Sequence, residues 1–255
     1  MTSKFSRLEK ISSQELSIEW DALALERHRQ ICAGLDITFS YVMVPLIESL
    51  VGNDRSATLI DIGSGTGQLT QHLAGSFKRV LCIERSTQSI EIAKSVLSEF
   101  SNIYFINSDF ENCSDALFDF PDEKKNFLAA MVLSTTPNLE DFVRKLAQLG
   151  QKGDEFVATI PHPRFWPRYC GYERELWFSY EKEVIVKAPF KISLSRTHFR
   201  ATHIHRPVEM YIAAFAAHGF NLVDILEPMP STDIQSLYPS KWEFPRFIAF
   251  KWLKQ

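Results

Sequence analysis

The sequence predicts an α/β protein built on a doubly wound, seven-stranded, mostly parallel sheet, with N-terminal helices before it and a small inserted cap. Three observations predict it. From Ala57 onward, short and continuously apolar stretches alternate with amphipathic ones, as in a parallel sheet covered by helices on both faces. A glycine-rich turn, Gly63 to Gly67 (GSGTG), falls between the first such strand and the first such helix. A chain of 255 residues with 45% hydrophobic content suits one large α/β domain with an insertion better than two independent cores.

Residues 1 to about 10 carry little apolar pattern and are expected to be poorly tied down. Ser12 and Glu15 form a capping box, and Leu16, Trp20, Leu23 and Ala24 keep the spacing of one buried helix face. Phe39, Val42, Met43, Leu46, Ile47 and Leu50 continue that spacing across Pro45, which implies a kinked helix or two short ones. These helices make up residues 1–52. The core, residues 53–161, holds the strand candidates ATLIDI, RVLCIE, NIYFIN, FLAAMVLS and EFVATI. Between them lie helical stretches at Gln68 to Gly75, Ser89 to Phe100 and Leu139 to Leu149, the last with Gly150 placed for a left-handed cap. After Pro161 the alternation stops. Residues 162–206 are read as the cap, with an aromatic-rich segment and short strands at Val184 to Val186, Phe190 to Leu194 and Phe199 to His205. In residues 207–255, Pro207 opens a helix whose inner face is Met210, Ala213, Ala214 and Ala217, with Gly219 as its stop. NLVDIL and FPRFIAFKWL return the chain to the sheet.

No apolar run approaches the roughly 20 residues that span a bilayer, and the N-terminus lacks a hydrophobic signal region. A cytoplasmic protein without membrane partners is the expectation. Cys32, Cys82, Cys113 and Cys170 lie far apart with no disulfide or zinc spacing, so no metal is expected. A net charge of −3 argues against a broad nucleic-acid surface. Oligomeric state leaves no trace in the sequence.

A strand, glycine turn and helix aim backbone N–H groups and the positive helix end at a ligand. No Gly-Lys follows Gly63, so the turn is not a P-loop. The dinucleotide fingerprint needs a glycine at position 68, where Gln68 stands. Glu84 ends the second strand at roughly the 20-residue distance from the first glycine at which a carboxylate accepts both ribose hydroxyls. NAD and S-adenosylmethionine sites share that placement. Asp109 and Phe110 end the third strand as an acceptor for an adenine amino group and a ring to cover it. Asp109 as a helix cap, Phe110 as core, and Ser134, Thr135 and Thr136 as hydroxyls satisfying local backbone are the competing readings.

DIGSGTG, Glu84, SDF and LSTTPN together resemble the class I S-adenosylmethionine-dependent methyltransferases, strongly over Ala57 to Pro161. HRPVEMYIAAFAAHGFNLVDILEPMPS is more loosely similar to small-molecule enzymes of the ubiquinone/menaquinone-biosynthesis type. The resemblance implies a Rossmann-like methyltransferase fold and S-adenosyl-L-methionine as cofactor. It places Asp61, Gly63, Ser64, Gly65, Gly67, Glu84, Arg85, Asp109, Phe110 and Ser134 around that cofactor. It also puts a His-Arg-Pro segment near the acceptor site, which nominates His205 as a general base, with His162 after the fifth strand as a second candidate. Trp166, Tyr169 and Tyr172 are candidate pocket walls. Between Val184 and Val208 there is no acidic residue, while Lys187, Lys191, Arg196, Arg200 and Arg206 are present and Arg164 and Arg168 precede them. If they converge, they would hold a carboxylate or phosphate of a small acceptor; solvated strand faces are the alternative. The absence of an Asn-Pro-Pro-Tyr segment after the fourth strand weakens the case for amide or nucleobase nitrogen as acceptor. Rival readings are an RNA or protein methyltransferase, an inactive cofactor-binding protein, and a nicotinamide oxidoreductase. Gln68 and the lack of a Tyr-x-x-x-Lys pair disfavour the last.

Overall fold

The structure is a computed structural model that describes residues 4–118, 120, 124–194 and 196–255. Its elements in chain order are β1 (Ser6–Leu8), α1 (Ser13–Cys32), α2 (Val44–Val51), β2 (Asp54–Ile62), α3 (Gln68–Leu73), β3 (Phe77–Glu84), α4 (Thr87–Val96), β4 (Ile103–Asn107), β5 (Lys125–Ala130), α5 (Leu139–Leu149), β6 (Glu155–Pro161), α6 (Trp166–Cys170), β7 (Val184–Lys191), β8 (Arg196–His205), α7 (Val208–Ala217), β9 (Phe220–Leu226), α8 (Thr232–Gln235) and β10 (Phe247–Lys254). Seven strands form one sheet in the order β4-β3-β2-β5-β6-β10-β9, and β10 alone runs antiparallel to its neighbours. The chain order reverses at β2, which lies between β3 and β5. There the connections leave on opposite faces and open a crevice at the carboxyl ends of the strands.

Both sheet faces are covered. On one, Phe156, Phe215 and Trp252 stack, with Phe215 and Trp252 ring centroids 4.1 Å apart. The other packs Ile47, Leu73, Val80 and Leu97 from α2, α3, β3 and the end of α4. α1 begins with the expected box: Glu15 N–H donates to Ser12 Oγ at 3.2 Å, and Ser12 N–H donates to Glu15 Oε2 at 2.9 Å. A π-helical turn at Phe39–Met43 runs into α2, whose first turn accommodates Pro45.

Several expectations are corrected. The N-terminal segment is tied down: β1 pairs antiparallel with β7, from Ser6 opposite Lys187 to Leu8 opposite Ile185. The fourth strand of the core does not run through FLAAMVLS. It ends at Ala130, and Met131, at φ 65°, turns the chain into a 3₁₀ turn at Leu133–Thr135. Gly150 is extended (φ −80°, ψ 140°), because its N–H closes on Leu146 O and the left-handed residue comes later, at Gly153. In α7 the inner face is Tyr211 and Phe215, whose rings reach the aromatic core, while Met210 points outward. The cap strands form one hairpin, β7 with β8, rather than three short strands. With β1 they make a separate three-stranded sheet.

Candidate active site

Gly63, Gly65 and Gly67 all have positive φ (69°, 56° and 84°), so the turn between β2 and α3 depends on glycine. The three differ in what surrounds them. A Cβ on Gly63 would lie 2.3 Å from Val132 Cγ2, and one on Gly67 would press on Leu97 and Ala93 of the neighbouring α4 segment. A Cβ on Gly65 would meet nothing within 4 Å. Two glycines therefore serve packing, and the middle one leaves open space where a ligand can approach the backbone.

Glu84 at the tip of β3 locks this turn. Its Oε2 accepts from Gly65 N–H at 3.0 Å and its Oε1 from Ser86 N–H at 2.7 Å. Each oxygen keeps a further lone pair for a diol. Burial pushes its pKa up, opposed by those two backbone donors. Asp61 is fully buried beneath the turn, accepts from Thr70 Oγ1 at 2.6 Å, and is raised to about 6 by desolvation, with the nearby Glu84 charge adding to it.

The adenine-side candidates also come together. Arg85 Nε stands 3.1 Å from Asp109 Oδ1, and Asp109 makes no side-chain cap on the turn that follows it. Phe110 borders the cavity and packs on Phe118 and Phe142, so it serves the core as well. Ser134 Oγ donates to Met131 O at 3.4 Å, and Thr135 and Thr136 both donate to Val132 O, the local backbone role considered for them.

Asp61, Gly63, Gly65, Glu84, Arg85, Asp109, Phe110, Ser134 and Thr135 border one cavity of about 350 Å³, whose other walls come from α1, the cap and the segment before β10. Trp20, Arg27 and Ile31 form its α1 side. That helix is fastened at both ends of the site: Asp21 accepts from Ser86 Oγ at 2.6 Å, and Glu19 accepts from Thr202 N–H at 2.9 Å on β8. Gln68 Nε2, at the start of α3, meets His28 Nδ1 at 2.6 Å.

The two histidines nominated as bases lie outside the lining of this cavity. His205 Nε2 is 2.9 Å from Tyr180 O, and its ring packs edge-on against Phe178. His162 Nε2 is 2.8 Å from Glu227 Oε1, and its Nδ1 accepts from Arg164 N–H. His203 is the histidine that borders the cavity; His205, two residues further along the same face of β8, packs instead among Phe178 and Tyr180. Its Nε2 is 2.8 Å from Tyr172 OH, and burial pushes its pKa down to about 3.

The basic residues of the cap do not converge. Arg206 is buried, pairs with Glu183 at 2.5 Å and donates to the carbonyls of Leu133, Thr136 and Pro137. Lys187 pairs with Glu19, Arg168 with Glu243, and Arg200 donates to Ser6 and the Lys187 carbonyl. Arg164 lies over the Tyr180 ring. The Arg196 side chain falls outside the described residues. Lys191 borders the cavity, as does Arg246, which sequence reasoning missed. Trp166 and Tyr169 stand in the same wall, whereas Tyr172 is wholly buried behind it.

The site fits S-adenosylmethionine on its own evidence: open space at Gly65, a diol-competent carboxylate at Glu84, and a buried Arg85 Nη1 without a hydrogen-bond partner beside Asp109. Fold and site together define the class I S-adenosylmethionine-dependent methyltransferases. Residues 53–184, just over half of the chain, match the family described as methyltransferase domain, and the chain belongs to that family. A curated relative, ribosomal RNA small subunit methyltransferase A of Mesoplasma florum, is 28% identical over 144 residues, 52% of this chain and 50% of that protein. The chain thus spans about half the length of that relative. Among solved structures, an S-adenosylmethionine-dependent methyltransferase from Mesorhizobium loti superposes with a TM-score of 0.61 at 15% identity, over 82% of this chain and 96% of that one. The DhpI-SAH complex gives 0.60 at 17% identity, over 95% and 98%. Among the described residues no helix is long and apolar enough to cross a membrane.

Proposed function

We propose that the protein transfers the methyl group of S-adenosylmethionine to a small organic acceptor held beneath the cap. One observation carries the reading: a single cavity is walled on one side by the glycine turn and Glu84, and on the other by Trp166, Tyr169 and Phe190 of the cap. Asp61, Gly63, Ser64, Gly65, Glu84, Arg85, Asp109, Phe110 and Ser134 would hold the cofactor, with Gly67 shaping the turn from behind. When bound, the cofactor supplies an electrophilic methyl on a sulfonium.

The chain's own residues then align and shield. Glu84 fixes the turn and offers its free lone pairs to a ribose. Trp20 from α1 and Phe190 from β7 meet edge to face at 6.3 Å and exclude water between α1 and the cap. His203 stays neutral across the physiological range and holds its Nε2 toward Tyr172, so it orients rather than withdraws a proton in this form. An acceptor that is already nucleophilic suits such a site.

Calorimetric titration with S-adenosylmethionine and S-adenosylhomocysteine, with NAD as control, followed by labelled methyl transfer to panels of small acids, phenols and amines and to ribosomal RNA, tests the reading. Binding of the sulfur ligands alone and transfer to a small acceptor are expected. Binding of NAD alone overturns it. A second reading, methyl transfer to RNA, draws on the similarity to a ribosomal RNA enzyme, and transfer to RNA with none to small acceptors would establish that one instead.

A further inference from the structure

Arg246 is 7% exposed, borders the cavity, and among the described residues neither pairs with a carboxylate nor donates a guanidinium hydrogen bond. Its neighbours are rings. The guanidinium carbon lies 4.2 Å from the Tyr169 centroid, 4.4 Å from that of Trp242 and 5.8 Å from that of Tyr238. Burial lowers its pKa, yet a guanidinium does not give up its proton in a protein. A buried cation with no counter-ion is costly, and aromatic contacts offset only part of that cost.

The surrounding charges leave this cation unanswered. Asp36, the acidic residue of the cap-side wall, is engaged by Arg27 at 2.5 Å and accepts from Phe39 N–H and Ser193 Oγ as well. Glu243 pairs outward with Arg168. Lys191 adds positive charge, its Nζ lying 6.0 Å from the same Tyr169 ring. Trp166 lines the same cavity, its ring 5.2 Å from Tyr169. With rings around it and no acceptor for its guanidinium among the described residues, Arg246 keeps its N–H fork for a planar anion.

We infer that Arg246 anchors a carboxylate on the methyl acceptor, whose apolar planar body lies against Trp166, Tyr169 and Phe190. This rests on the methyl-transfer reading above. The alternative source of negative charge, a phosphate monoester, presents three oxygens in a tetrahedral array that a single planar fork matches less well.

The test is calorimetry on the full chain saturated with S-adenosylhomocysteine, using benzoate, 4-hydroxybenzoate and indole-3-acetate, each against its neutral amide, with phenyl phosphate as a further arm. At least one acid is expected to bind about tenfold or more tightly than its amide, as charge-assisted pairing requires. That preference should vanish in Arg246→Met and weaken in Arg246→Lys, with S-adenosylhomocysteine affinity unchanged in both. Equal binding of every acid and its amide, no binding of any acid, or a preference that survives Arg246→Met overturns the inference. Phenyl phosphate binding more tightly than every acid overturns the carboxylate assignment. If Arg246→Met does not fold, the wild-type pairs and Arg246→Lys decide. Failure of the wild type to bind S-adenosylhomocysteine at all would sink the methyl-transfer reading instead.

Discussion

The Asp21 carboxylate of α1 receives the Ser86 hydroxyl at 2.6 Å, and Ser86 N–H in turn donates to Glu84. Asp21 also accepts from Gln88 N–H at 3.1 Å, so the N-terminal helix is fastened to the start of α4 directly beside Glu84. Hydrogen bonds to a charged group contribute about 1.5–3 kcal/mol each way they are made or broken. Asp21→Ala is expected to speed hydrogen exchange in α1 and to weaken S-adenosylhomocysteine binding about three- to tenfold. Unchanged exchange and affinity would show that α1 is held by other contacts.

Gly65→Val places a branched side chain at φ 56° in the one gap the turn leaves open. Glu84→Ala strips the acceptor from both Gly65 N–H and Ser86 N–H. Each variant should remain folded by circular dichroism and lose detectable binding of S-adenosylmethionine by calorimetry. Near wild-type affinity in either one removes the turn from the cofactor site.

Burial raises Asp61 from 3.8 to about 6, so the folded protein holds that proton more tightly than the unfolded chain does. The stability this contributes is present below about pH 4 and is lost as pH rises through about 6. Asp61→Asn keeps an acceptor for Thr70 and removes the titration. Relative to wild type, its urea midpoint should therefore be more favourable at pH 7 than at pH 4. A difference that does not vary with pH would mean Asp61 is not perturbed in this way.

Arg206 is a structural cation. Its guanidinium joins Glu183 to three carbonyls of the segment that follows β5, so Arg206→Met strands buried acceptors and should cost about 3–5 kcal/mol in chemical denaturation. A stable Arg206→Met protein with impaired acceptor binding would restore Arg206 to the substrate pocket.

His205→Ala removes a ring wedged between Phe178 and Tyr180, and the expectation is a loss of about 1–3 kcal/mol of stability with turnover per folded molecule unchanged. A fall in turnover without a change in melting would return His205 to a catalytic role, and His203→Ala is the comparison that separates the two positions on β8.

The sequence by itself determined the elements whose signals are local: the core strands apart from the end of the fourth, the capping box at Ser12, the buried faces of α1 and α5, and the glycine turn in register with Glu84. These follow from backbone geometry over a few residues, and the pairing of Glu84 with the glycine turn was legible because one βαβ unit holds both parts. Tertiary structure decided where each side chain of the cap is spent. Lys187 meets Glu19 and Arg200 meets Ser6 only because β1 and α1 fold against a hairpin formed late in the chain. Arg246 is a single basic residue before the last strand, with no periodicity to mark it, and it became a candidate once the fold surrounded it with rings and gave every nearby carboxylate another partner. Whether His203 or His205 faces the cavity was likewise set by how the hairpin packs. Local pattern dictates which face of an element is apolar, but the partner that a charge or a ring finds there depends on which distant segment is laid against it.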